Sequence, residues 1–450
     1  MLSEYLIYVP AVIIFLRHYS RAQGTGTTSA SIALVAVLMQ PATMLIDHGH
    51  FQYNTVMLGF VVASLSSIYA GRRLWSCIFF VAALGFKQMA LYYSPVIFAF
   101  LLGSCLTPQF RPARLLSIAI VTATAFAALL TPLLLGALYD HYQGISLSDQ
   151  PLPPFLAHRI SQLPDRSSPV GVVILQLSQS IHRCFPFARG LFEDKVANFW
   201  CAANSIYKLR NLQAFIELPQ LSALFTVMSI MGPMLVIGAV PRKSLLPYAL
   251  ASSAWGFFLF SFQVHEKSVL LPLMPMTLLL ASKNGLSKEY RAWVGWANLL
   301  GVWTLYPLLK RDELKTAYAV LSLLWAYLLG LPPTSVGAYY DPEHENVPGR
   351  PRAPDELSTP TKILHVQYYV IMAFWHLLAA FAEPPEDKPD LWVVANACIG
   401  AVGFGVCYLW CNWKLILQSG LLDSYLQNQD EGGQQRSRNQ GQVAKEEKSS

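Results

Sequence analysis

A chain of 450 residues in which 54% of side chains are hydrophobic and 13% charged, with mean hydropathy +0.39, is dissolved mainly in lipid. That balance excludes a water-soluble globular enzyme, and with a formal net charge of only +6 no nucleic-acid partner is expected. The fold class is an all-α polytopic membrane protein.

Apolar stretches of roughly 15–24 residues are read as spans. They fall near 3–16, 30–46, 54–70, 75–90, 94–107, 115–138, 219–239, 245–262, 269–282, 292–309, 316–331, 363–382 and 391–416. This predicts about 13 transmembrane helices, some too short to cross without local bilayer adjustment. The first run lacks a basic amino end and a small-residue cleavage site, so it is read as a helix that stays. The segments divide into a transmembrane module over 1–138, a loop over 139–218, helices over 219–331, a linker over 332–362, two helices over 363–418 and a polar, disordered tail over 419–450.

Lysine and arginine are retained on the cytoplasmic side. Arg17 with Arg21, Arg72 with Arg73, Arg111 with Arg114, Arg242 with Lys243, and Lys283, Lys288 and Arg291 fall on alternate loops, which are therefore read as cytoplasmic. The opposite loops hold the polar motifs: 47–54, 87–93, 189–200, 263–267 and 310–315. A carrier places ionisable groups near mid-helix along a pathway. Here they gather at helix ends on one face, which favours a membrane-embedded enzyme over a transporter.

Several residues on that face are candidates for chemistry. His265 and Lys267 suit a developing phosphate charge in a water-poor site, or anchor a helix end through a Glu266–Lys267 pair. His48 and His50 can donate to a phosphate or a sugar hydroxyl, or make structural hydrogen bonds. No third ligand stands at informative spacing, so no metal is expected. Lys87, nearly inside an apolar helix, needs a partner. A carrier phosphate or Asp47 would serve. In the long loop, Arg189, Glu193, Asp194 and Lys195, with aromatics that include Trp200, suit an interfacial segment that binds an oligosaccharide or is held by local ion pairs. Arg311, Asp312 and Glu313 bind the oligosaccharide acceptor or read as a solvated charge run. Cys184 and Cys201 share this loop, so a disulfide is possible there. The remaining cysteines read as buried thiols.

Five motifs carry a resemblance. Asp47-His-Gly-His-Phe-Gln-Tyr-Asn54, Lys87-Gln-Met89 with Leu91-Tyr92, Arg189 to Trp200, Phe262-Gln-Val-His-Glu-Lys-Ser268 and Leu308-Leu-Lys-Arg-Asp-Glu-Leu314 occur in this order. Together they closely resemble the dolichyl-phosphate-glucose-dependent glucosyltransferases of N-glycan assembly, over roughly residues 1–420. The 47–50 and 193–200 segments resemble the branch that adds the first glucose to Man9GlcNAc2-PP-dolichol.

The resemblance implies a GT-C-type fold, the endoplasmic reticulum membrane, a lumenal site, and inverting transfer from dolichyl phosphate glucose to the lipid-linked oligosaccharide as an α-1,3 linkage. No cofactor is implied. His265, Lys267, Lys87, His48 and His50 are then candidates for the donor phosphate, and Arg189, Glu193, Asp194, Lys195 and Trp200 for the acceptor.

Family members begin with one further helix and a long first lumenal loop that carries the acidic catalytic base. This chain takes up the pattern at about the second helix, and an odd span count with a cytoplasmic tail puts Met1 in the lumen. The expectation is a truncated form whose base is unknown. Asp47, Asp194 and Glu266 are weak substitutes, and Glu4 is too isolated to nominate. A non-catalytic form that binds dolichyl-phosphate sugar or acceptor, and the sister enzyme adding the second glucose, stay open as alternatives.

Overall fold

The computed structural model describes residues 2–145, 168–184, 195–209, 217–262, 264–340 and 357–422, the side chains of 182–184 excepted. Among the described residues there is no strand. That follows from the solvent: lipid offers no hydrogen bonds, so the backbone of a spanning segment must satisfy itself. In chain order the helices are α1 Val9–Gln23, α2 Thr27–Leu38, α3 Pro41–Met44, α4 Asn54–Tyr69, α5 Arg73–Phe86, α6 Ser94–Leu106, α7 Pro112–Tyr142, α8 Pro169–Cys184 and α9 Phe199–Ile206. They continue as α10 Leu218–Ala239, α11 Leu246–Phe260, α12 Leu270–Leu278, α13 Lys288–Thr304, α14 Tyr306–Arg311, α15 Lys315–Leu329, α16 Thr359–Phe381 and α17 Leu391–Ser419.

Each apolar stretch expected to span coincides with helix. Six helical segments are long and apolar enough to cross a membrane: Thr27–Gly49, Gln88–Leu106, Pro112–Tyr142, Leu218–Ala239, Thr359–Phe381 and Leu391–Ser419. The protein is thus a polytopic all-α membrane protein. Parts of the expected linker and tail, 341–356 and 423–450, lie outside the described residues, and α17 runs on to Ser419.

Burial separates the central helices from the lipid-facing ones. In α11, 13 of 15 residues are buried, and α12 is buried along its whole length. A helix apolar on every side must be surrounded by protein. By contrast α7, 31 residues long, buries only Ala137 and leans on α5 and α8. Its remaining apolar surface is left for acyl chains.

A polar knot fixes the centre. Gln40 Nε2 donates to Asn298 Oδ1 at 2.7 Å and to Thr277 Oγ1 at 3.3 Å, Asn298 Nδ2 donates to Thr277 Oγ1 at 3.0 Å, and Thr43 donates to Gln40 Oε1 at 2.7 Å. All four side chains are buried. Because each amide finds a partner, the knot sets the register of α3, α12 and α13 without leaving a costly orphan.

The helices alternate in direction between two ends. Tyr69, at the end of α4, donates its hydroxyl to the Lys243 carbonyl, and Lys243 Nζ donates back to the Tyr69 carbonyl at 3.0 Å. Arg114 donates to the Ser104 carbonyl at 2.8 Å and Arg242 to that of Ser419 at 2.6 Å. These contacts gather basic residues at one end. Asn54 starts α4 about 24 Å away, at the opposite end, given 1.5 Å per residue. The loops that carry the motifs converge there.

Close approach of α6 and α10 relies on the absence of a side chain. A Cβ on Gly103 would sit 2.3 Å from the Gly238 carbonyl oxygen and 3.0 Å from its carbon, and backbone cannot swing aside. Gly103→Ala is expected to destabilise the fold by about 1–3 kcal/mol, as overpacking does. Gly136→Ala, with nothing within 4 Å, is the control that should leave the melting midpoint in detergent unchanged.

Candidate functional site

The site is organised around the residue that begins the first motif. Asp47 lies in the middle of a π-helical turn, Leu45–Gly49, that follows α3. Its Oδ2 accepts the Thr55 backbone N–H at 2.5 Å and its Oδ1 accepts from Asn54 Nδ2 at 2.8 Å. No side chain at the usual capping position serves α4, so Asp47 supplies the missing acceptor from eight residues upstream. Its negative charge also complements the positive helix end.

Lys87 joins this network from the end of α5. Its Nζ donates to Asn54 Oδ1 at 2.5 Å and to Gln52 Oε1 at 3.4 Å. Lys87 is partly buried, and Asp47 attracts it while Lys267 repels it, so the three charges lie within range of one another. The expected link between Lys87 and Asp47 is therefore present, relayed by Asn54.

Lys267 is brought close by aromatic anchors on the 88–93 turn. Tyr93 donates to the Leu271 carbonyl at 2.6 Å, Ser253 donates to the Tyr92 carbonyl at 2.9 Å, and the Tyr92 ring stacks on Phe257 at 5.0 Å. These fix the 87–93 segment against α11 and the turn Glu266–Val269. His265 is exposed, while Glu266 and Lys267 are half-buried. Among the described residues Glu266 and Lys267 form no ion pair with each other.

The two histidines part company. His48 Nε2 pairs with Glu4 Oε2 at 2.8 Å, whereas His50 Nδ1 pairs with Asp312 Oδ2 at 2.5 Å. Two sequence expectations are corrected here. Glu4 is not isolated, because the π turn of α3 delivers His48 to the start of the chain. Asp312 is not simply part of a solvated charge run, because it holds His50 across 262 residues.

The neighbourhood of the His50–Asp312 pair bears strain. Phe51 and Glu313, immediately after His50 and Asp312, are the non-glycine residues with positive φ among those described, at 65° and 61°. Left-handed backbone at a bulky residue costs energy and collects at working surfaces. At Phe51 it turns the ring outward, 75% exposed and 5.9 Å from the half-exposed Tyr53. Exposed paired aromatics beside donors suit a sugar ring, a signal legible only once the turn is seen.

The acceptor candidates are partly visible. Arg189, Glu193 and Asp194 lie outside the described residues, as does the side chain of Cys184, and with it the possible disulfide to Cys201. Lys195 forms an ion pair with Asp390. Trp200 is buried: its indole N–H donates to the Phe260 carbonyl at 2.7 Å and its ring stacks on Phe225 at 5.6 Å. Trp200 is thereby an anchor, and its buried face is closed to a sugar. Ser222 donates to the same carbonyl at 3.0 Å, so the open end of α11 is satisfied and α9 is held five residues before His265.

Replacing Asp47 tests this account. Asp47→Asn turns an acceptor-only carboxylate into a group with one donor end, which must face either the Thr55 N–H or Asn54 Nδ2. The expected cost is about 1–3 kcal/mol. Hydrogen exchange should show faster exchange at the Thr55 amide while the far end of α4 keeps its protection.

Comparison with known proteins agrees with the arrangement of motifs. The chain is 36% identical to the probable dolichyl pyrophosphate Man9GlcNAc2 alpha-1,3-glucosyltransferase of Schizosaccharomyces pombe, over 95% of this chain and 73% of that protein. It is 37% identical to the dolichyl pyrophosphate Man9GlcNAc2 alpha-1,3-glucosyltransferase of Saccharomyces cerevisiae, over 92% of this chain and 71% of that one. The mouse protein of the same name is 30% identical, over 89% and 72% respectively. Residues 1–146 and 167–413 match a family profile, and the chain belongs to the ALG6, ALG8 glycosyltransferase family.

Proposed function

We propose that this protein is a hexosyltransferase of the endoplasmic reticulum membrane that adds glucose in α-1,3 linkage to Man9GlcNAc2 carried on dolichyl pyrophosphate. The donor is dolichyl phosphate glucose and the site faces the lumen. The observation that carries the reading is the binding of Lys87 to Asn54 and Gln52 of the 47–54 turn, with Lys267 near enough for the two charges to repel, at the helix ends opposite the basic residues.

The reaction asks for such a place. The acceptor hydroxyl attacks the anomeric carbon, the bond from that carbon to the phosphate oxygen breaks, and dolichyl phosphate leaves with the electron pair. Attack from the opposite face turns the β-linked glucose into an α-glucoside. Lys87 and Lys267 meet the charge growing on the phosphate, in surroundings poor in water where fixed cations act strongly. His265 and the paired His48 and His50 complete the donor side as hydrogen-bond donors. On the acceptor side stand Lys195 and the loop that Trp200 anchors, with Arg189, Glu193 and Asp194.

The acceptor proton needs a base. Asp47 is poorly placed for that task, since both its oxygens already accept hydrogen bonds. Glu266, half-buried beside Lys267, and Asp194 keep their candidacy.

The test uses microsomes from cells that lack this glucosyltransferase and express the protein, supplied with dolichyl phosphate glucose. The expected product is an oligosaccharide one hexose larger, cleaved by α-glucosidase and resistant to β-glucosidase. Lys87→Met and Lys267→Met should each lower the rate by about a hundredfold or more, and Lys195→Met by no more than about threefold, since an exposed ion pair contributes little. Product formed from a nucleotide sugar with no lipid donor would refute the donor assignment. Full activity in both lysine variants would refute the phosphate role.

A further inference from the structure

The basic end holds a second built feature that glucosyl transfer does not use. A pocket of about 440 Å³ opens between the first turns of α5 and α7, lined by Arg72, Arg73, Trp75, Arg114 and Ser117. Arg111 and Arg114 are close enough to Arg73 for their charges to repel it, and Arg73 in turn repels Lys243. Among the described residues no ion pair joins a carboxylate to any of these cations. Like charges converging without a counter-charge are unfavourable unless an anion completes them.

Retention of basic residues on one side of a membrane explains why arginines occur at this end. It does not explain why they point into one pocket. Arg114 is tied by its hydrogen bond to the Ser104 carbonyl, and Lys243 by its bond to that of Tyr69, so both cations are held in place before any ligand arrives. No side chain caps α5, whose first-turn residues Leu74 and Trp75 line the same pocket, so its positive end adds to the field.

We propose that this pocket binds the phosphate headgroup of an anionic membrane lipid. A lipid fits better than a free phosphate because apolar surface runs on from the pocket: Trp75, Ile78, Leu116 and Ile120 are all exposed on α5 and α7. Those faces take the acyl chains while the guanidinium groups take the phosphate, the arrangement expected of a basic pocket between membrane helices. The site is separate from the glucosyl-transfer site and does not depend on that reading.

The experiment is lipid binding by the purified full-length protein in detergent, followed by native mass spectrometry. Dioleoyl phosphatidylinositol and dioleoyl phosphatidylcholine are compared, with inorganic phosphate as a separate arm. Wild-type protein is expected to retain the anionic lipid at least about tenfold more strongly. Arg73→Gln with Arg114→Gln should weaken retention about thirtyfold. Ser117→Glu, which places a carboxylate in the pocket without removing an arginine, should weaken it as well and guards against misfolding of the double variant. Arg17→Gln with Arg21→Gln, exposed at the carboxyl end of α1, should leave it unchanged. Equal loss in that control would reduce the effect to general surface charge and overturn the pocket. Unchanged binding in both pocket variants would overturn it too, and inorganic phosphate binding as tightly as the lipid would overturn the choice of ligand.

Discussion

Everything at the motif-bearing end depends on how the Asp47 carboxylate is satisfied. A carboxylate buried beside a membrane needs donors, and the sequence supplies two within eight residues, Asn54 and the Thr55 backbone. By accepting them Asp47 caps α4, folds the 47–54 segment back on itself, and turns the Asn54 carbonyl oxygen toward Lys87. The helix start and the cation are thus placed by one group. A lysine without such an acceptor would snorkel away toward water; with it, the ammonium is kept on the 47–54 turn.

Packing at the centre keeps the turn from drifting. Gln40 lies just before α3, and its bonds to Asn298 and Thr277 tie the helix that carries His48 and His50 to α12 and α13. The same α13 leads through Leu305 to α14 and Asp312, which reaches His50. The buried amide cluster and the His50–Asp312 pair are therefore joined through the backbones of α3 and of α13 with α14. A site built this way is positioned by side chains whose own geometry is locked, which is what stabilising a transition-state charge requires.

The helices and their polarity were legible because lipid leaves two simple marks. Apolar run length located α4, α10 and α17, and the spacing of Arg72, Arg111 and Arg242 on alternate loops gave the sidedness. Long-range pairings left no such mark. Nothing local in Glu4 points to His48, and nothing in Asp312 points to His50, since both depend on how far α3 is rotated about its axis. Trp200 misled for a related reason: an aromatic beside charges reads as a sugar platform, but its ring is buried and its indole N–H donates to the Phe260 carbonyl at the end of α11. The Gln40 knot was hidden because isolated amides in apolar sequence carry no period.

The two ends of the bundle solve opposite electrostatic problems. At the motif end these side chains each have an acceptor: Lys87 has Asn54, His48 has Glu4, His50 has Asp312 and Lys195 has Asp390. On the proposed reading, a phosphate entering there competes with amide and carboxylate oxygens. At the basic end Arg73, Arg111 and Arg114 meet no carboxylate among the described residues, and an anion there competes for Arg114 with the neutral Ser104 carbonyl. Turnover favours the first arrangement, because binding energy spent equally on ground state and transition state gains nothing in rate. A permanently seated lipid needs the second.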